Sequence, residues 1–191
     1  MVNKEARVGV FVDVQNLYYS AKNLYGSKVN FANVLKKVVN GRKLIRAIAY
    51  VIKTEAMKER TFFDALEKIG FEIQAKDLQI FHGGHKKGDW DVGIAMDIIE
   101  SAPKLDVVII VSGDGDFVPL MQHARSAGCR IEACSFGRSA SSMLKNAVYE
   151  FHDLDKDKNK YTIKTMARHV KHVVRPAKPA VTKAEVKPVK K

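Results

Sequence analysis

Asp114 and Asp116 stand two residues apart in Ser112-Gly113-Asp114-Gly115-Asp116, directly after the apolar run Val107-Val108-Ile109-Ile110-Val111. Asp13 repeats the arrangement after Arg7-Val8-Gly9-Val10-Phe11-Val12, with Asn16 three residues further on. A β-branched apolar run reads as a strand buried on both faces of a parallel sheet. Open α/β sheets hold their ligands at the C-terminal ends of such strands. Carboxylates at two of these ends are in position for chemistry. The plain alternative is an ordinary turn with a capping carboxylate at each place. A cap explains Asp13 but leaves the matching Asp114 unexplained.

Asp91 joins them from a third segment. A helix starting at Asp89 or Trp90 and running through Glu100 places Val92, Ala95, Met96, Ile98 and Ile99 on a broad apolar arc at ~100° per residue, with Asp91 inside it. Asp91 is therefore expected to point inward from the first turn, where the helix dipole favours a carboxylate. Asp97 lies off that arc, and geometry alone makes it a surface residue. Asp13, Asp91, Asp114 and Asp116 gathered at one sheet edge would repel, and stay ionised at neutral pH only with cations among them. Hard Mg²⁺ or Mn²⁺ with all-oxygen ligation is the natural partner, and phosphodiester hydrolysis is the reaction such a site suits. No Gly-x-Gly-x-x-Gly follows the first strand and no Walker loop appears, so a nucleotide-binding Rossmann reading fails. An aspartyl-phosphate phosphatase would want a second Asp at position 15, which is Gln.

The elements that must position these acids alternate along the chain. Helix Phe31–Val39 closes at Asn40-Gly41, and Leu44–Ile52 is the next strand. Lys53-Thr54-Glu55 opens an amphipathic helix with Met57, Phe62, Phe63, Leu66 and Ile69 on its apolar positions, ended by Gly70. Phe71–Ala75 alternates as a half-buried strand, Arg130–Phe136 is a strand nearer an edge, and a short helix covers Met143–Ala147. Between the acids, Asp114 or Asp116 caps a helix with Pro119 in its first turn and Gly128 past its end. Strand and helix in alternation argue for βαβ units and an α/β fold with a mainly parallel sheet.

Two stretches could meet an anionic substrate. Phe81–Asp91 carries three glycines, and its Lys86 and Lys87 would serve as a cationic loop beside a phosphate backbone or as a merely solvated loop. His82 and His85 lack a third ligand nearby and make a weak metal pair. The loop Gly137–Ser142 brings Arg138 to the same sheet edge, as a phosphate contact or as a plain helix start.

Composition bounds the rest. Residues 156–191 hold 12 Lys or Arg against 2 Asp or Glu, so +10 of the formal +12 charge falls there, while residues 1–155 carry 21 basic and 19 acidic groups. We expect one domain over residues 5–155, followed by a basic, largely disordered tail at 156–191 with room for a short helix at 161–174. No run approaches the ~20 apolar residues of a membrane span, and the N-terminus lacks the apolar core of a signal peptide. A cytoplasmic protein with no membrane partner is expected. Cys129 and Cys134 are too few for a disulfide framework and read as packing residues.

Three motifs in order carry a resemblance: Val10-Phe11-Val12-Asp13-Val14-Gln15-Asn16, then Lys87-Gly88-Asp89-Trp90-Asp91-Val92-Gly93-Ile94-Ala95-Met96-Asp97, then Val111-Ser112-Gly113-Asp114-Gly115-Asp116-Phe117. Together they resemble the NYN domain of the LabA-like family, a branch of the PIN-like nucleases, over roughly residues 5–153. The resemblance implies a Rossmann-like, three-layer PIN-type domain with metal-dependent cleavage of RNA. By motif position it supports Asp13, Asn16, Asp91, Asp114 and Asp116 as catalytic, and it adds Asp97 to Asp13, Asp91, Asp114 and Asp116 as a metal ligand. Ser112, Lys86, Lys87 and Arg138 are the candidate substrate contacts. The expected function is a Mg²⁺- or Mn²⁺-dependent ribonuclease whose tail adds affinity. Its rival is a catalytically weak RNA-binding or regulatory scaffold with the same fold. Single-stranded DNA stays open as a substrate, and so does a homo-oligomer.

Overall fold

The apolar runs become the strands of one sheet. The computed structural model describes residues 3–53, 60–77, 79–80, 86–87 and 89–164. Its first half runs β1 (Arg7–Asp13), α1 (Val14–Tyr25), β2 (Ser27–Val29), α2 (Phe31–Val39), β3 (Lys43–Lys53), α3 (Arg60–Ile69), β4 (Glu72–Asp77), β5 (Gln79–Ile80) and β6 (Lys86–Lys87). The second half runs α4 (Asp91–Ser101), β7 (Val107–Val111), α5 (Val118–Ser126), β8 (Arg130–Ser135), α6 (Ser142–Ala147), β9 (Glu150–Asp153), α7 (Lys158–Tyr161) and β10 (Thr162–Lys164).

Six strands form the main sheet in the order β4-β3-β1-β7-β8-β9, and every neighbouring pair is parallel. The chain lays down β1, steps outward through β3 to β4, then returns to the other side of β1 for β7, β8 and β9. The direction of build therefore reverses between β1 and β7, which is where doubly wound sheets open a ligand crevice at their C-terminal edge. Val12 pairs with Val111, so Asp13 and Ser112 leave the sheet side by side at that crevice. At the other end Asp106 accepts from the Arg7 backbone N–H at 2.7 Å and pairs with its guanidinium at 2.8 Å, which pins the same register from below.

Both sheet faces are covered, giving three layers. Val8, Val10 and Val12 pack with Leu17, Val34, Val38 and Leu66 on the side of α1, α2 and α3. Phe11, Ile48 and Ile110 pack with Ile94, Ile98 and Met121 on the side of α4 and α5. The central strands β1 and β7 are buried on both faces, which is why they read as continuous apolar runs. Both cysteines are buried and free. Among the described residues no helix is long and apolar enough to cross a membrane.

Several local expectations change. Lys53 is the last residue of β3, α3 is described over Arg60–Ile69, and the expected helix opening at Thr54-Glu55, with Met57, lies outside the described residues. β8 is the last strand but one, and β9, formed by residues that carry no strand periodicity, makes the edge. Past residue 155 the chain is still packed: Tyr161 is buried, and β10 pairs antiparallel with β2 through Thr162↔Val29 to Lys164↔Ser27. Over 162–164 the expected helix gives way to a strand on the open edge of β2, and the rest of that expectation, from residue 165 onward, lies outside the described residues. The apolar arc of α4 is also displaced: Ile94 and Ile98 are buried, while Val92, Met96 and Ile99 are exposed at 74%, 52% and 41%.

Candidate metal and phosphodiester site

Asp13 closes β1 and caps α1, accepting from the Asn16 backbone N–H at 3.0 Å. The Asn16 side chain then reaches across the crevice, its Oδ1 accepting from the Gly113 N–H at 2.9 Å. One short segment thus supplies a carboxylate and also fastens the loop that carries the next two. After β7, Ser112 is fully buried and its Oγ accepts from the Asp114 N–H at 3.2 Å. Asp114 in turn accepts from the Asp116 N–H at 3.0 Å and caps the single turn Gly115–Phe117 that leads into α5. Gly113 is closely surrounded: a Cβ there would lie 3.0 Å from Ala140 Cα and 3.0 Å from Ser135 Oγ, so those neighbours would have to give by a few tenths of an ångström. The Ser139–Ser141 loop packs on the turn, with the Ser141 N–H donating to the Gly113 carbonyl at 2.8 Å.

Asp91 enters from α4. Trp90, just before it, donates from Nε1 to the Val51 carbonyl at 3.0 Å and packs on Tyr50 with ring centroids 5.4 Å apart, so the first turn of α4 is fixed to the C-terminal end of β3. The acids feel one another. Burial pushes the Asp13 carboxyl up to about 6; the cap hydrogen bond from Asn16 opposes this, and the charges of Asp91 and Asp114 reinforce it. Asp91 is raised too, by burial first and then by Asp89, Asp114 and Asp116. Asp116 is exposed at the rim.

An all-oxygen donor set in which Asp13 and Asp91 hold their protons more tightly than free carboxyls fits a hard divalent cation, which would replace the proton and the repulsion together. The cluster is open: among the described residues the group of three ligand side chains lying within 4.8 Å of one another is Glu132, Glu150 and His152, elsewhere in the sheet. That second group borders a cleft of about 470 Å³ at the N-terminal edge of the strands. Burial works against the Glu132 charge, but His152 at 2.8 Å and the two Arg42 contacts at 2.8 and 2.9 Å hold its carboxyl at about 2, and Arg130 donates to it at 2.9 Å as well. Its oxygens are committed to those partners, and the network ties α2 and β3 to β8 and β9.

The remaining candidates sit away from the acids or around them. Asp97 is half-buried, accepts from the Tyr50 hydroxyl at 2.6 Å and faces Arg46 at 3.9 Å. Its role in the structure is therefore a tie between α4 and β3, and the surface position read from the helix arc does not hold. Arg138 lies beyond β8 with its guanidinium 4.9 Å from the Tyr25 ring centre and 3.6 Å from Asp155. Lys86 and Lys87 form the two-residue strand β6 against β5; their side chains, with His82 and His85, lie outside what is described. Sequence reasoning missed Tyr50 and Lys76, which belong to strands with no motif. It saw Trp90 as a helix start without its contacts, although the single tryptophan of the chain beside an acid was a signal.

The sequence profile of the NYN domain matches residues 7–155. The chain is 26% identical over 163 residues to the low amplitude and bright protein LabA of Synechococcus elongatus, covering 81% of this chain and 87% of that protein. It is also similar to the crystal structure of a protein of unknown function from Vibrio parahaemolyticus, at 31% identity and a TM-score of 0.76 over 85% of this chain and 99% of that one.

Proposed function

The chain belongs to the NYN-domain family of PIN-like nuclease domains, and on that premise we propose that it hydrolyses RNA phosphodiester bonds with Mg²⁺ or Mn²⁺ held by Asp13, Asp91, Asp114 and Asp116. The observation that carries this reading is the placement of Asp13 beside Ser112 at the reversal of strand order, with Asn16 fastened to the loop that bears Asp114 and Asp116. When bound, such an ion supplies Lewis-acid polarisation of a phosphoryl oxygen and a water of lowered pKa. The chain's own residues do the rest. Asn16 has spent its carbonyl oxygen on Gly113, so only its amide hydrogens are left to donate to a phosphate oxygen. Ser112, buried and bonded to the Asp114 N–H, sets the turn from below and has no exposed surface with which to touch substrate. Arg138, with 59% of its side chain exposed, and Lys86 and Lys87 would receive the flanking phosphates.

The open spacing of the acids favours a second reading, an RNA-binding or regulatory scaffold that does not cleave. Incubating purified protein with labelled single-stranded RNA and DNA, with Mn²⁺, Mg²⁺ or EDTA, separates the two. We expect RNA cleavage that EDTA stops and that Asp114→Asn abolishes, because Asn keeps the cap on the Asp116 N–H but removes a charge. Strand bound but uncut under every ion would establish the scaffold, and unchanged turnover in Asp114→Asn would reject that residue as a ligand.

A further inference from the structure

Lys76 stands at the C-terminal end of the edge strand β4, paired with Ile52 of β3. It is half-buried, and its ammonium lies 4.6 Å from the centre of the Trp90 ring. Among the described residues no carboxylate pairs with it. The lysine next to it on the same edge behaves otherwise, for Lys53 has Asp77 at 3.7 Å. Lys76 nevertheless reaches the acid cluster, since the ring it lies on belongs to Trp90, the residue directly before Asp91 at the start of α4. The platform beneath it is built: Trp90 is fixed by Val51 and Tyr50, and Gly93 lacks a Cβ that would come within 2.6 Å of the ring. Among the described residues its charge has no carboxylate within ion-pair distance, so an arriving anion meets a cation held on a ring and partly withdrawn from water.

We propose that Lys76, held on the Trp90 ring, is a phosphate-binding residue that seats a nucleic-acid strand against the acid cluster. The assignment rests on the hydrolytic reading above and adds a site to it. The four acids repel a polyanion, so the phosphate that reaches them needs a fixed cation at the rim. Lys76 supplies one at β4, on the far side of Asp91 from the β7 turn. Its part is positioning: it affects where the strand lies and how tightly it is held, and no proton passes through it.

The chain's only tryptophan is Trp90, so the site reports on itself through intrinsic fluorescence. The full-length protein and its Lys76→Met and Lys76→Arg variants would be titrated in EDTA with a single-stranded RNA oligonucleotide and, separately, with inorganic phosphate. Cleavage with Mn²⁺ would then be measured for each. Met keeps the hydrocarbon stem on the ring, so the fold should survive. For Lys76→Met we expect a Kd raised by about 10-fold, as for a lost charge-assisted contact, and a log–log salt slope shallower by about 0.7, the share of one phosphate on a single strand. KM should rise with the Kd while kcat at saturation stays close to wild type, and Lys76→Arg should restore the slope. A Trp90 response to the oligonucleotide alone means a strand site; a response to inorganic phosphate as well means that the anion itself is recognised, and both support the assignment. Wild-type cleavage with unchanged affinity, slope and fluorescence response in Lys76→Met would overturn Lys76 and leave the hydrolytic reading standing. A wild-type protein that binds no strand would overturn both.

Discussion

Asp13 answers two demands that pull its proton in opposite directions. As the cap of α1 it is best ionised, accepting from the Asn16 N–H. As a partly buried neighbour of Asp91 and Asp114 it is best neutral, and burial with these charges wins, at about 6 against 3.8 for a free carboxyl. A carboxyl whose folded value lies above its unfolded value stabilises the fold fully below the unfolded value, and that stabilisation is lost as pH rises through the folded one. Without metal, the Asp13 contribution should therefore decline between about pH 4 and pH 6, by roughly 2–3 kcal/mol at most. Asp13→Asn keeps an acceptor for the cap and removes the charge. Its melting temperature at pH 7.5 should exceed that of wild type, and the gap should close toward pH 4. Adding Mn²⁺ at pH 7.5 should raise the wild-type melting temperature and leave Asp13→Asn nearly unmoved. Parallel pH profiles for the two proteins would show that Asp13 does not carry the strain.

Between β3 and α4 the tie is Asp97, and it shows what a linear reading can and cannot recover. Apolar runs and their terminal acids were legible, because a parallel strand buried on two faces writes itself as Val and Ile without interruption. Asp91 is half-buried, and the arc used to orient it is the wrong one: Val92, Met96 and Ile99 give the helix its most apolar side, and that side is exposed. The orientation of α4 is decided elsewhere, by Trp90 fastened to Val51 and by Asp97 receiving the Tyr50 hydroxyl, and contacts across 39 and 47 residues leave no period in the sequence. β2 and β10 were invisible for the same reason, each having three residues whose partner is more than 130 positions away. Tyr50 is buried, and burial with the Asp97 contact holds its phenol far above its usual range, so the hydroxyl stays a donor that needs its acceptor. Asp97→Ala should cost about 1–3 kcal/mol in chemical denaturation, the penalty of a buried unsatisfied hydroxyl, and Asp97→Asn markedly less. If instead both variants lose metal-dependent activity at unchanged stability, Asp97 serves the acid site as the family resemblance implies.

At the scale of the whole molecule, charge is divided between an acidic crevice and a basic C-terminal stretch, and the packing tells where to separate them. A cut at Asp155 would remove Tyr161, whose carbonyl accepts from the Asn30 N–H at 2.8 Å, and with it the β10 partner of β2. A cut after Lys164 spares both. Residues 165–191 hold eight Lys or Arg against one Glu, a formal +7, and their loss leaves +5 on the remainder. The shorter protein should therefore keep its melting temperature while the version ending at Asp155 loses several degrees. If the basic stretch touches about five phosphates of a single strand, its removal should flatten the log–log salt slope of RNA binding by about 3.5. Cleavage at saturating RNA should survive, because the carboxylates and Lys76 all lie before the cut. Equal affinities and equal slopes for full-length protein and the Lys164 truncation would assign the basic stretch to solubility or to a protein partner. The crevice would then have to hold its strand by Lys76, Arg138 and the loop lysines alone.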